Sequence, residues 1–181
     1  MSGALPTRRR PPAAPAAIEC CDHAAVASGY VGVVGPGDGA TADDVAAARE
    51  VGRLLARAGA VLVCGGLGGV MAAACAGAAA AGGVTVGLLP GDDRGAANPH
   101  VTVALPTGLG ELRNGLLVRC CDAVIGIGGG WGTLSELALA RRTGVPVVLL
   151  GSWQVASSTG PEVLGEVVAS AEEAVDRVLR R

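Results

Sequence analysis

Residues 121–142, CDAVIGIGGGWGTLSELALARR, decide how the chain is read. Val124 to Ile127 form a short apolar run suited to a strand covered on both faces, and Thr133 to Arg142 read as a helix through Leu134, Leu137 and Leu139. Between them lie Gly128, Gly129, Gly130 and Gly132. Lacking Cβ atoms, these residues let the backbone turn sharply and approach a ligand closely. The free N–H groups that open the next helix then make an anion site, most often for phosphate. Glu136 stands three residues beyond Thr133 and has two readings. It is a carboxylate beside the anion site, or the second half of a Thr-x-x-Glu capping box that satisfies backbone donors.

Composition narrows the chemistry. The 181 residues suit one domain with a real core. Half are apolar, yet the aromatics are only Trp131, Trp153 and Tyr30, so Ala, Val, Leu and Gly must build the interior. All 14 basic residues are arginines, and the absence of lysine excludes a lysine Schiff base and a Walker-type P-loop. A net charge of −2, with only Arg8 to Arg10 clustered, predicts no extended basic face and no nucleic-acid partner. The six cysteines contain no C-x-x-C, so they form neither a zinc pattern nor a disulfide framework. Cys20, Cys21 and His23 lack the fourth ligand of a metal cluster, and no metal is expected. Cys64, Cys75, Cys120 and Cys121 fall in apolar runs as small hydrophobes, which fits a reducing cytoplasm.

Residues 1–28, rich in Pro, Ala and Arg and without periodicity, read as a disordered tail ahead of a domain at 29–181. Arg8 to Arg10 are followed by PPAAPAA rather than an unbroken apolar segment, which argues against export. No charge occurs from Gly59 to Pro90, but nine glycines cut that stretch into pieces too short to span a bilayer. Strands are expected at Tyr30 to Val34, Ala60 to Cys64, Val84 to Leu89, Val101 to Leu105, Val145 to Leu150 and, at an edge, Glu166 to Ala169. Helices are expected from a Thr41 cap to Ala58, from Val70 to about Ala81, around Arg113 to Arg119, and after a Ser170–Glu173 capping box.

Apolar strands alternating with helices predict an α/β fold: a single-domain, Rossmann-like, doubly wound parallel sheet with helices on both faces. Ligands bind such sheets beyond the carboxyl ends of the strands, where the winding reverses. Three glycine loops follow strands and should share that rim: Gly35 to Gly39, Gly65 to Gly69, and Gly128 to Gly132. The first, GPGDGA, satisfies the G-x-G-x-x-G/A dinucleotide fingerprint. Strand two, however, ends in Val63, Cys64 and Gly65 rather than in the acidic residue that would hold a ribose. A smaller phosphate-bearing ligand is expected, with no bound cofactor.

GGGWGTLSE, Gly128 to Glu136, resembles the PGGxGTxxE signature of the Lonely Guy (LOG) family, with Gly128 in place of the proline. GGLGGVMAAACAGA from Gly65, GLLP from Gly87 and RNGLLVRCCDAVI from Arg113 extend the resemblance over roughly Tyr30 to Ala174. LOG proteins are nucleoside 5′-monophosphate phosphoribohydrolases, and the resemblance implies that Arg113 and Glu136 are catalytic. It reaches equally to the molybdenum-cofactor carrier proteins, which bind a phosphate-bearing pterin without turning it over. Gly128 and Asn114, where LOG enzymes usually carry proline and lysine, lean toward that branch. The label lysine decarboxylase, once given to family members, fails because no lysine is present to hold pyridoxal phosphate.

The expected function is N-glycosidic hydrolysis of a nucleoside monophosphate, and the alternative is carriage of molybdopterin or a nucleotide without turnover. In the first, Glu136 would stabilise the positive charge on the sugar and orient water, and Arg113 would hold the phosphate or Glu136; otherwise Arg113 makes an ordinary ion pair. The candidate ligand-binding residues are Gly35, Gly37, Gly65, Gly66, Gly68, Asn98, Asn114, Gly129, Gly130, Trp131, Gly132 and Thr133. Ala-rich helix faces, helix two above all, and the family's habit of dimerising lead to an expected homodimer or dimer of dimers.

Overall fold

The computed structural model describes residues 29–180, so the expectations for residues 1–28, including the Cys20–Cys21–His23 cluster, lie outside it. Seven strands form one parallel sheet: β1 (Tyr30–Val34), β2 (Val61–Cys64), β3 (Thr85–Leu89), β4 (Val103–Pro106), β5 (Ala123–Ile127), β6 (Val147–Leu150) and β9 (Glu166–Val168), which follows the hairpin β7 (Val155–Ser157) and β8 (Gly160–Glu162). The order β4-β3-β2-β1-β5-β6-β9 winds outward from the middle in both directions. The reversal falls between β1 and β5, whose register pairs Val31 with Ala123 and Val34 with Gly126. The expected Rossmann-like, doubly wound architecture is present. The 155–162 hairpin was not expected.

Five helices flank the sheet: α1 (Ala42–Arg57), α2 (Gly69–Ala80), α3 (Arg113–Arg119), α4 (Trp131–Thr143) and α5 (Ala171–Leu179). Thr41 caps α1 in a reciprocal box with Asp44, its hydroxyl accepting the Asp44 N–H at 3.1 Å. Ser170 caps α5, while Glu173 accepts from the Ala169 N–H rather than from the cap's own. Helices α1, α2 and α5 share one core with Val31, Val33, Leu62 and Ile125. Leu117 and Val118 of α3 and Leu137 and Ala140 of α4 share a second with Val34, Val63 and Val124.

Helix α2 corrects an expectation. Its Ala-rich faces are not left for a partner, because the sheet and α1 bury Val70, Met71 and every residue from Ala73 to Ala78. Close approach makes this possible. A Cβ at Gly52 of α1 would overlap the Ala74 carbonyl, and one at Gly77 of α2 would overlap the Arg49 carbonyl. A helix apolar on every side is stable only when enclosed in this way. Among the described residues, no helix is long and apolar enough to cross a membrane.

Candidate functional site

The carboxyl ends of β1 and β5 open into a cleft of about 430 Å³ at the reversal point. The loop after β1 contributes Gly35, Pro36, Gly37 and Asp38. Leu67 and Met71 come from the start of α2, Pro90, Gly110 and Glu111 from the segment ahead of α3, and Arg113 and Asn114 from α3 itself; Gly130, Gly132, Thr133 and Glu136 come from α4. Two helices begin at this cleft without a side-chain cap, α2 at Gly68 and α4 at Gly130. Their first-turn amides carry the partial positive charge of a helix N-terminus.

The loops are fixed by backbone approach. Gly69, at φ +60°, lies so close to the Pro36 and Gly37 carbonyls that a Cβ would overlap both, and the Val70 N–H donates to the Pro36 oxygen at 3.0 Å. Gly128 has φ +63°, a conformation closed to proline, whose ring holds φ near −65°. This is the physical reason the motif proline cannot stand at this position in this backbone. Ser152 Oγ donates to the Gly128 carbonyl at 2.6 Å and Trp153 Nε1 to that of Gly130 at 3.1 Å, tying the glycine turn to the segment after β6.

Arg113 Nη1 donates to Glu136 Oε1 at 2.9 Å, and both residues are buried, at 8% and 6% exposure. Glu136 therefore belongs to an ion pair and not to a capping box. Thr133 lies inside α4, whose cap is Gly130, so the box has no N-cap hydroxyl to supply. The alternative of Arg113 as an ordinary surface ion pair falls with its burial. Burial pushes the Glu136 carboxyl up to about 7, and the Arg113 charge and hydrogen bond oppose the rise. Arg113 packs over Gly65, where a Cβ would overlap its guanidinium, and its Nε is buried with no acceptor. Asn114 Nδ2 donates to Ser135 Oγ at 2.9 Å, and that hydroxyl donates to the Gly132 carbonyl at 2.7 Å, joining α3 to the first turn of α4.

Of the candidates named from the sequence, Gly35, Gly37, Arg113, Asn114, Gly130, Gly132, Thr133 and Glu136 line one cleft. The others stand behind or beside it. Gly65 backs Arg113, Gly66 packs on Gly87 and Leu89, and Gly68 opens α2. Asn98 Nδ2 donates to the carbonyls of Gly66 and Leu67, so it braces the loop. Gly129 lies under Trp153; Trp131 is 80% exposed, its ring 5.5 Å from that of Trp153. Sequence reading missed Asp38, Met71 and Glu111. Asp38 sits inside the quoted GPGDGA and Met71 inside the quoted GGLGGVM, whereas Glu111 follows Gly110 in a stretch with no motif. Among the described residues, no three His, Cys, Asp or Glu side chains group to hold a metal ion.

Residues 28–177 match the SLOG cluster4 family, and the chain belongs to that family. It is similar to the molybdenum cofactor binding protein of Rippkaea orientalis, at 36% identity and a TM-score of 0.74 over 82% of this chain and 94% of that one. The molybdenum cofactor carrier protein of Chlamydomonas reinhardtii is 33% identical, with a TM-score of 0.72 over 84% of this chain and 98% of that one. An uncharacterized protein of Archaeoglobus fulgidus is 40% identical over 120 residues, 66% of this chain and 78% of its own length.

Proposed function

We propose that the cleft between β1 and β5 binds a phosphate-bearing heterocycle and that the protein serves as a carrier for a molybdopterin-class pterin. The observation that carries this reading is the N-terminus of α4, which opens at Gly130 without a side-chain cap on a cleft that also contains Arg113. N–H groups at a helix start bind phosphate oxygens without a lysine, which this chain lacks. The volume, about 430 Å³, lies within the range of small-ligand sites. The likeness to a cofactor binding protein and a cofactor carrier at 33–36% identity supports the choice of cargo.

A second reading, hydrolysis of a nucleoside 5′-monophosphate, is favoured by Glu136 in the cleft wall. With the phosphate on the α4 turn, a carboxylate would face the anomeric carbon as the N-glycosidic bond breaks. The bond's electron pair would leave with the base, water would add to the sugar, and the Glu136 carboxylate, balanced near pH 7, would take the water's proton and return it to the departing base. The products would be free base and ribose 5-phosphate.

Turnover separates the two. The purified full chain is titrated calorimetrically with molybdopterin and with a nucleoside monophosphate panel, and each mixture is assayed for free base. Binding of the pterin without base release from any nucleotide, with affinity falling on the order of 10-fold or more in Arg113→Ala, is the expected result. Base released at a steady rate would overturn the carrier reading in favour of the hydrolase, and no binding of either class would overturn both.

A further inference from the structure

The cleft carries more negative charge than a phosphate site needs. Asp38, Glu111 and Glu136 stand in its lining, with Arg113 as the single basic residue. Arg113 answers Glu136. Among the described residues the Asp38 and Glu111 carboxylates have no ionic partner. A carboxylate beside a bound phosphate repels it unless a cation or an N–H donor stands between them. A divalent cation lacks ligands here, since no three His, Cys, Asp or Glu side chains among the described residues group to hold one. The remaining donor is an N–H edge of the ligand itself. Arg113, only 8% exposed and with its Nε buried and unpartnered in the same cleft, is a second and independent mark of a polar ligand.

Position along the rim separates the two free acids. The order β3-β2-β1-β5 sets the end of β3 three strand spacings, about 14 Å, from the end of β5, where α4 opens. Glu111 belongs to the β3 end, because the neighbouring Gly110 N–H donates at 2.9 Å to the carbonyl of Pro90, the residue after that strand. Asp38 follows β1 instead, and the Pro36 of its loop lies 3.7 Å from where a Cβ at Gly130 would stand. Asp38 is thus near the phosphate turn and Glu111 far from it. Leu67 and Met71 line the stretch between, an apolar surface with a polarizable thioether that suits the face of a flat ring.

We infer, building on the reading of the cleft as a site for a phosphate-bearing heterocycle, that Glu111 accepts the paired N–H groups of a 2-amino-4-oxopyrimidine ring, the edge common to pterins and guanine. The ligand then spans the rim, with its phosphate on the first turn of α4, its ring over Leu67 and Met71, and its ring N–H and amino group on the Glu111 carboxylate. Two carboxylate oxygens take two parallel donors at once, the geometry they use with an arginine fork. Hypoxanthine keeps the ring N–H and lacks the amino group. Adenine turns an unprotonated ring nitrogen toward the acid, so lone pair meets lone pair. Glu111 also precedes α3, where an acid favours the helix dipole, but that role is blind to the identity of the base.

The full-length protein is titrated calorimetrically with guanosine, inosine and adenosine 5′-monophosphates and with molybdopterin, as wild type, Glu111→Gln and Asp38→Asn. The wild type is expected to bind the guanosine nucleotide on the order of 10-fold or more tighter than the adenosine one, with inosine between them, the scale of one bidentate contact to a base edge. In Glu111→Gln that preference should shrink to about 3-fold or less, because the amide offers one acceptor and turns a donor on the second N–H; molybdopterin should weaken on the order of 10-fold. The ratio is the readout, since altered folding or cleft charge moves all the nucleotides together. Equal affinity for the three nucleotides in the wild type would overturn the inference and leave the phosphate site standing. So would a preference that survives Glu111→Gln, or one that collapses in Asp38→Asn instead. If molybdopterin binds and the nucleotides do not, an unchanged molybdopterin affinity in Glu111→Gln overturns it. Binding of none of the four overturns the proposed function together with it.

Discussion

Replacing Glu136 with Gln changes one buried atom's chemistry and little of its shape, so its effect can be worked from the site. The wild-type carboxyl is pushed from 4.5 up to about 7 by burial, with Arg113 opposing. A rise of that size corresponds to about 3 kcal/mol of preference for the neutral form in the folded state. The sign follows from proton counting. Between those two values the folded chain holds a proton that the unfolded chain has lost, so stability is fully present below pH 4.5 and falls as pH rises toward 7. The amide in the Glu136→Gln variant has no such proton to exchange. The stability of the variant relative to wild type should therefore climb by roughly 1.4 kcal/mol per pH unit across that window and level off above it. Differences in packing displace the whole curve and leave its slope alone. Urea unfolding of both proteins at pH 5, 6, 7 and 8 measures the difference. A flat difference, or a wild type that gains on the variant as pH rises, would show that Arg113 keeps Glu136 ionised throughout. Under the carrier reading Glu136→Gln leaves ligand affinity within about 3-fold. Under the hydrolase reading turnover falls on the order of 100-fold, the usual scale for one lost transition-state contact.

Two backbone positions give further tests. Gly65→Ala places a Cβ into the Arg113 guanidinium, so anion affinity should fall about 10-fold while urea stability drops by about 1–3 kcal/mol; unchanged affinity would mean that Arg113 is not held by Gly65. Gly128→Pro restores the family's motif residue but demands a negative φ where the chain has +63°, and removes the N–H that donates to the Leu150 carbonyl. It should destabilise by about 3 kcal/mol or more, and a neutral result would show that this turn is not fixed at positive φ.

The sheet was legible because its strands are apolar on both faces and its helices begin and end on local chemistry such as Thr41 and Ser170. The three glycine loops at strand ends led to a shared rim, whereas the strand order rests on pairings between distant segments that no local pattern records. What escaped depends on contacts between distant segments. The 155–162 hairpin is built from exposed residues without alternation, so it carries no periodic signal. The Thr133–Glu136 spacing satisfied a local rule that the structure does not use, because α4 starts three residues earlier at Gly130 and a buried arginine from another helix claims the carboxylate. Helix α2 looked unpartnered because composition does not reveal that Gly52 and Gly77 let α1 lie against it. Leu112 and Leu116 show the opposite case. Nothing in their local spacing separates them from core leucines, yet they are 80% and 41% exposed.

Arg113 sits between two claimants, and this links the site's electrostatics to the choice between its functions. Nη1 is given to Glu136, and Nε has no acceptor among the described residues. A phosphate that draws the guanidinium toward itself removes the charge that opposes the rise in the Glu136 carboxyl, and burial then favours the neutral acid still more. Phosphate binding through Arg113 and an ionised Glu136 are thus in competition. A carrier tolerates that competition, because a neutral acid beside a bound pterin repels neither its phosphate nor its ring. A hydrolase does not, since a developing cation on the sugar needs the negative charge. Hydrolysis would require Arg113 to stay on Glu136 and leave the phosphate to the amides that open α4 after Gly130. The buried pair therefore divides the two chemistries by which anion keeps the arginine once the ligand is bound.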